Sequence, residues 1–205
     1  MGRVILVRHG RTEWNRIERF RGRADVPLDE TGIMEAKATG GRIAQEWNPV
    51  AVYSSPLSRA VKSAEAIARN FGLPVRVHSG LNDIDYGQWQ SLTPDEVRDR
   101  WAVEGDLWYT APHRVAIPGG ETLADVRASA LDAVNEITAH HEGQVVVIVA
   151  HTVVNRVILL GVLGLGNDRF WKLRQDTSAI NVFDAERGDF TLVLLNDTCH
   201  LCTSG

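Results

Sequence analysis

The chain has 205 residues and a formal charge of −4 at pH 7, with 44 % hydrophobic and 23 % charged residues. This composition is typical of an ordinary globular protein. The negative charge argues against a general nucleic-acid binder, because duplex binding depends on dense Lys and Arg side chains that neutralise phosphates. No apolar stretch approaches the ~20 residues that span a bilayer, and the stretch at residues 4–7 is too short for a signal peptide. We therefore expect a cytoplasmic protein with no membrane partner.

Hydrophobic patterning over the first 80 residues predicts strands that alternate with helices. Residues 4–7, Val-Ile-Leu-Val, form a continuous apolar stretch that is typical of a buried strand. A polar loop over residues 16–29 leads into a helical pattern that continues to Trp47. Short strands are predicted at residues 50–53 and 75–77, on either side of a helix that Gly72 ends.

The middle of the chain, about residues 81–121, differs from the rest because it is rich in aromatic residues and proline. We expect a small helical lid there, with one helix near residues 94–101, inserted into a core formed by 1–80 and 121–205. Helical periodicity returns over 119–141, and an apolar strand over 144–151 precedes another helix. Strands at about 179–184 and 190–195 complete the sheet. This alternation predicts a single α/β domain over residues 1–205, a three-layer α/β/α sandwich with a mainly parallel sheet.

Two of the predicted strands end on a histidine. The stretches "RVILVRHG" and "VVVIVAHT" deliver His9, preceded by Arg8, and His151, while Arg59 lies about one turn into the helix after a third strand. A lone histidine at a strand end is often structural, and a lone arginine is usually a surface cation. The carboxyl ends of parallel strands meet at one edge, however, and helix N-termini at that edge favour anions. The joint arrival of these side chains predicts an anion-binding catalytic site, for which phosphate is the best-suited ligand.

Cys199 and Cys202 form a C-x-x-C pattern near the end of the chain, a spacing found in redox pairs and zinc sites. A redox motif normally opens a helix on a βα scaffold, and a zinc site needs four ligands. His200 could supply a third ligand, but a tail ending in Thr-Ser-Gly is a poor frame for a metal. We interpret the two cysteines as incidental reduced thiols.

The stretch "LVRHGRTEWN" resembles the signature of the histidine phosphatase superfamily, in its phosphoglycerate-mutase-like branch. Similarity extends over nearly the whole chain: "RFRGRADVPLDETG" resembles the loop after the signature, "VYSSPLSRAVKSAEAIA" the Arg-bearing helix, "PGGETLADV" the Gly-Gly-Glu turn and "VIVAHTVVNRVIL" the second-histidine segment. The compact chain and its short middle segment are most similar to the small phosphatase members of the family.

The resemblance implies that His9 attacks phosphorus in line and forms a phosphohistidine, while Arg8, Arg59 and His151 hold the equatorial oxygens. With so many fixed cations, it implies no metal and no other cofactor. Asn15 matches the family's asparagine and is expected to donate a hydrogen bond, and the strand-to-helix entry at Thr152 to add a backbone N–H. Arg21 and Gly22, in the loop after the signature, are expected to contact the substrate.

The proton donor is where this chain departs from the family pattern. A stretch resembling L-x-E-x-x-x-G commonly carries a glutamate, but here "LNDIDYG" places Asp83 at that position. Aspartate is one methylene shorter, and near-attack geometry is sensitive to such a shift. We assign the role to Asp83, with Asp85 as the alternative, because alternation along an extended segment would place both on the same side. The remaining interpretation is a solvated acidic loop.

Three functions are consistent with these features. The favoured one is a metal-independent phosphatase that acts on small phosphorylated metabolites, with phosphoserine as the leading candidate, because the tail and the segment around "AHTVVNR" resemble the phosphoserine phosphatase group. In that case Tyr86 is expected to face the substrate carboxylate and His200 to close over the substrate. The alternatives are a cofactor-dependent phosphoglycerate mutase and a non-catalytic phospholigand-binding domain. A homodimer is also possible, since the family often dimerises.

Overall fold

A computed structural model describes residues 1–186 and 188–201. Within these residues, six strands form one sheet: β1 (Gly2–Arg8), β2 (Ala51–Ser54), β3 (Val75–Val77), β4 (Val145–Ala150), β5 (Ile180–Glu186) and β6 (Asp189–Asp197). Their order is β3-β2-β4-β1-β5-β6. The first four of these are parallel, whereas β5 pairs antiparallel with both of its neighbours, β1 and β6. The predicted mainly parallel sheet is therefore confirmed.

Helices cover both faces of the sheet. They are α1 (Glu13–Arg16), α2 (Glu30–Glu46), α3 (Ser58–Ala68), α4 (Pro94–Arg100), α5 (Ala102–Thr110), α6 (Leu123–His140) and α7 (Thr152–Val162). Successive β1 side chains point to opposite faces: Ile5 and Val7 pack in a cluster with α2 and α3, whereas Val4 and Leu6 pack in a cluster with α6 and α7. All four are essentially inaccessible to solvent. Burial on both faces explains the uninterrupted apolar strand, and it confirms the three-layer arrangement.

The segment predicted as a lid contains two helices rather than one, since α5 follows α4 after Trp101. The sequence pattern missed α5 because its apolar residues are not concentrated on one face. Short 3₁₀ turns at Gly87–Trp89 and Pro112–Arg114 flank the pair. Trp89 and Trp108 from this segment are buried in the same apolar cluster as α6 and α7. The lid is therefore packed on the core through aromatic side chains.

The loop after β1 lies close against α2. A Cβ atom on Gly10 would be 2.4 Å from the Gly32 carbonyl oxygen, and one on Gly32 would be 2.0 Å from the Arg11 carbonyl oxygen. Only glycine permits this approach. Asp29 caps the helix by accepting a hydrogen bond from Gly32 N at 2.8 Å. The loop that follows His9 is thus held by backbone contact.

Among residues 1–186 and 188–201, no helix is long and apolar enough to cross a bilayer.

Candidate active site

Parallel pairing of β1 with β4 brings the two histidines together. Arg8 is in register with Ala150, so His9 and His151 leave the same edge of the sheet on adjacent strands. His9 N donates to the Ala150 carbonyl at 3.0 Å, and the two imidazole centroids are 5.1 Å apart. Both side chains have no exposed surface. The predicted convergence of the histidines is therefore present.

The His9 ring has a defined tautomer. Its Nδ1 lies 2.7 Å from the Gly10 carbonyl oxygen, and a carbonyl can only accept, so Nδ1 carries the proton. Nε2 then has a lone pair, and within the described part of the chain this buried atom has no hydrogen-bond partner. Burial lowers the pKa of His9 well below its usual 6.5, and the charges of His151 and Arg59 add to this effect. The ring is a neutral base with one unoccupied nitrogen.

Backbone carbonyls hold the two predicted arginines. Arg8 Nη1 donates to the Gln175 carbonyl at 2.6 Å, while Arg59 donates to the Ala24 and Gly22 carbonyls, both at 2.7 Å. Burial, with the charges of Arg21 and Arg156, lowers the pKa of Arg8 to about 9. The guanidinium is still protonated at neutral pH. Carbonyl acceptors carry no net charge, so these contacts orient the two side chains without neutralising them.

Asp83 lies between Arg59 and His151. Its Oδ2 accepts from Arg59 Nη2 at 3.1 Å and is 3.5 Å from His151 Nδ1. Burial raises the pKa of Asp83 above its usual 3.8, although Arg59 and Arg21 oppose the shift. Asp85, the alternative, does not line the cavity: it accepts from Gly87 N at 2.8 Å and faces Arg23 at 3.5 Å. Alternation along the segment could not distinguish Asp83 from Asp85, but in the structure only Asp83 lies at the cavity.

A cavity of about 380 Å³ opens over this group, and Arg8, Asp83 and Thr152 line it. The other expected substrate contacts also border it, namely Asn15, Arg21, Gly22 and Tyr86. Asn15 Oδ1 accepts from the Thr12 amide and hydroxyl, both at 2.9 Å, which leaves the amide nitrogen to donate elsewhere. Gly22 has a positive φ of +49°, and a Cβ there would be 2.7 Å from the Ile84 carbonyl oxygen.

His200 is not part of this cavity. Its Nε2 lies 3.0 Å from Thr39 Oγ1 on α2, because the 3₁₀ turn Cys199–Leu201 packs against that helix. The predicted contact of His200 with substrate is therefore wrong for this structure. Cys202 lies outside the described residues. No group of three or more His, Cys, Asp or Glu side chains suited to a metal occurs in the part of the chain that is described.

The structure adds three residues that the sequence analysis missed. Ser55, directly after β2, places its Oγ 2.7 Å from His151 Nε2, and its position at a strand end was an available signal. Gln175 acts through its backbone carbonyl, which has no signature in the sequence. Arg156 lines the cavity from α7, and it is the one charged residue in the mostly apolar stretch "TVVNRVILL". This charged residue was the only local indication that α7 contributes a side chain to the site.

The fold and site define an α/β enzyme of phosphate chemistry, with a neutral imidazole among oriented cations at the carboxyl ends of parallel strands. The family model described as the histidine phosphatase superfamily (branch 1) matches residues 4–198. The chain belongs to this superfamily and is a phosphatase.

Relatives cover almost the whole chain. Phosphoserine phosphatase 1 of Hydrogenobacter thermophilus is 34% identical over 201 residues, which cover 98% of this chain and 95% of that protein. The structure of YhfR from Bacillus stearothermophilus superposes with a TM-score of 0.93 at 31% identity, covering 98% of this chain and 100% of that one. A mutant phosphoserine phosphatase from Entamoeba histolytica in complex with phosphoserine gives a TM-score of 0.87 at 25% identity, with coverage of 98% and 100%.

Proposed function

We propose that this protein hydrolyses small phosphomonoesters through a phosphohistidine at His9, without a metal, and that O-phosphoserine is the leading substrate. The observation that carries the proposal is the buried, unpartnered Nε2 of His9, whose ring proton is held on Nδ1 by Gly10. Similarity to phosphoserine phosphatases supports the choice of substrate. A homodimer and a cytoplasmic location stay predictions from the sequence.

In the first step, His9 Nε2 attacks phosphorus and the bond from phosphorus to the ester oxygen breaks. Arg8 and Arg59 hold the equatorial oxygens, where the transition state concentrates charge. The Ser55 hydroxyl lies 2.7 Å from His151 Nε2, and we assign it as the donor, which places the proton of that ring on Nδ1. His151 Nδ1–H then donates to a third oxygen. The lowered pKa of His9 keeps the nucleophile unprotonated at neutral pH.

Asp83 carries the proton in both steps. Its raised pKa favours the protonated acid, which donates to the leaving alkoxide. The resulting carboxylate then accepts a proton from water as water attacks phosphorus and the bond from phosphorus to nitrogen breaks. The products are the alcohol and inorganic phosphate, and both His9 and Asp83 return to their starting protonation states.

The test is to trap the intermediate. Protein mixed with ³²P-labelled O-phosphoserine and quenched in alkaline detergent should carry label that is stable to base and lost in acid, as expected for a phosphohistidine. His9→Ala should abolish both the label and phosphate release, EDTA should affect neither, and His113→Ala, at an exposed position, is the matched control. Hydrolysis that persists in His9→Ala would refute the proposal. Conversion of 3-phosphoglycerate to its 2-isomer in place of phosphate release would indicate a mutase.

A further inference from the structure

The cavity contains more positive charge than a phosphoryl group requires. Arg8 and Arg59 are positioned to bind its oxygens, but Arg19, Arg21 and Arg156 also border the cavity, against the two carboxylates of Glu18 and Asp83. Burial lowers the pKa of Arg156, which reflects the cost of an incompletely solvated cation. A second anionic group on the substrate would offset that cost.

Arg156 is held by contacts that leave its terminal nitrogens available. Its Cζ lies 4.9 Å from the Phe170 ring centroid and 4.6 Å from that of Trp171, and its Nε donates to the Leu173 carbonyl at 2.8 Å. Among the described residues, that is the only hydrogen bond its guanidinium makes. Aromatic stacking therefore orients a planar fork with two unoccupied nitrogens.

The spacing along α7 places Arg156 on the same face of the helix as Thr152. Thr152 is the first residue of the helix, next to His151, and Arg156 comes four residues later. At ~1.5 Å per residue the two backbone positions are separated by roughly 6 Å along the helix axis, about one turn. The carboxylates of O-phosphoserine and 3-phosphoglycerate lie three bonds from the ester oxygen, on a short carbon chain that suits a second cation near the phosphate site.

We propose that Arg156 binds a carboxylate of the substrate, so that the site selects phosphomonoesters with a carboxylate three bonds from the ester oxygen. This inference rests on the proposed phosphatase function and narrows its substrate class. A carboxylate suits the guanidinium fork, which can donate two parallel hydrogen bonds to it. Arg21 adds positive charge on the same space.

The experiment compares two substrates that differ only at this group. The carboxylate of 3-phosphoglycerate is replaced in glycerol 3-phosphate by a hydroxymethyl group. The wild-type protein should prefer 3-phosphoglycerate in kcat/KM by about 50-fold or more, as expected for a charged pair lost from a mostly buried site. Arg156→Met should lower kcat/KM about 50-fold for 3-phosphoglycerate and O-phosphoserine, and less than about 3-fold for glycerol 3-phosphate.

Two further variants separate recognition from folding. Arg156→Lys keeps the stem and the charge but not the fork, so it should reduce the preference about 5-fold. Arg169→Met, an exposed position on the neighbouring 3₁₀ segment, should leave the preference unchanged. Equal losses on both substrates in Arg156→Met, or an unchanged preference in Arg156→Lys, would overturn the inference.

The wild-type protein distinguishes this inference from the function on which it depends. Equal hydrolysis of both substrates would overturn carboxylate selection and leave the phosphatase proposal intact. Failure to hydrolyse either substrate or p-nitrophenyl phosphate would overturn both.

Discussion

The floor and the wall of the cavity are built from different parts of the fold. The floor consists of Arg8, which lines the cavity, and of His9, Arg59 and His151, which are buried around it. These side chains come from the ends of β1 and β4 and from the first turn of α3. The wall, Tyr86, Trp108, Arg156 and Trp171, comes from the lid, from α7 and from the 3₁₀ segment Asn167–Lys172. Three of the four floor side chains have no exposed surface, whereas Trp171 is 39% exposed.

The contacts of the two regions differ as well. Backbone carbonyls of Gly10, Gly22, Ala24 and Gln175, all in loops, orient the floor arginines and His9. Ring contacts hold the wall, such as Trp108 against Trp171 at 6.0 Å. Contacts between rings can be rebuilt with other side chains. We therefore expect the floor to carry the chemistry and the wall to set the choice of substrate, which Arg156 substitutions test directly.

The largest effect is expected at Asp83, at the boundary between the two regions. Asp83→Asn removes the proton donor, so kcat/KM for O-phosphoserine, which reports formation of the phosphoenzyme, should fall about 100- to 1000-fold. The loss of kcat/KM for p-nitrophenyl phosphate should be below about 10-fold, because nitrophenolate leaves without a proton. Steady-state kinetics on both esters measure the difference, with Asp85→Asn as the matched control. A similar loss on both esters would remove Asp83 from proton transfer and leave it as part of the floor's charge arrangement.

A smaller effect is expected from the buried amides behind Arg8. Gln175 Nε2 donates to Asn181 Oδ1 at 2.8 Å, and Asn181 Nδ2 donates to the Leu6 carbonyl at 3.1 Å. Asn181→Leu should therefore loosen the carbonyl that orients Arg8 and lower kcat/KM about 10- to 30-fold, because small misplacements reduce rates strongly.

The loss of kcat/KM in Asn181→Leu should be equal for substrates with and without a carboxylate, since it arises in the floor. The affinity for vanadate, measured on the folded protein, should fall in parallel. Asn135→Leu, on the exposed side of α6, controls for the substitution itself. A change in melting temperature alone, with kinetics and vanadate binding preserved, would mean that these amides only stabilise the fold.

The smallest effect is expected in how the free energy of unfolding depends on pH. The folded-state pKa values of His9 and His151 are both lowered, so below about 6.5 the unfolded chain binds more protons than the folded one. Stability from these two groups is complete above that pH and decreases as pH falls. From pH 7 to pH 6 the free energy of unfolding should fall by about 1 kcal/mol.

Denaturant titrations in phosphate-free buffer measure this change, and His151→Gln should reduce it by about half. His113→Gln, at an exposed position, should leave it unchanged. A flat profile would mean that the histidines of the floor take up protons in the folded state. Arg156 in the wall should contribute little to this change in the free energy of unfolding, because it remains protonated throughout the pH range.

Much of the floor could be predicted because its signals are local. An apolar strand ending on His9, and another ending on His151, places both side chains at one sheet edge in any parallel arrangement. Arg59 followed from its position just after a third strand, and the resemblance to a family added Asp83. Arg156 was missed because a cation in a helix has the same sequence neighbours whether it faces solvent or a cavity. His200 was misplaced because the tail packs on α2, a contact between segments distant in the chain.

The sequence by itself determined the strands, the three-layer class and the two histidines, because hydrophobic periodicity depends on residues that are close together in the chain. Only the tertiary structure decided which nitrogen of His9 is unpartnered, which carboxylate of Asp83 and Asp85 lies by Arg59, and which arginines border the cavity. Those properties depend on burial and on backbone carbonyls from remote segments, and neither leaves a local pattern in the residues themselves.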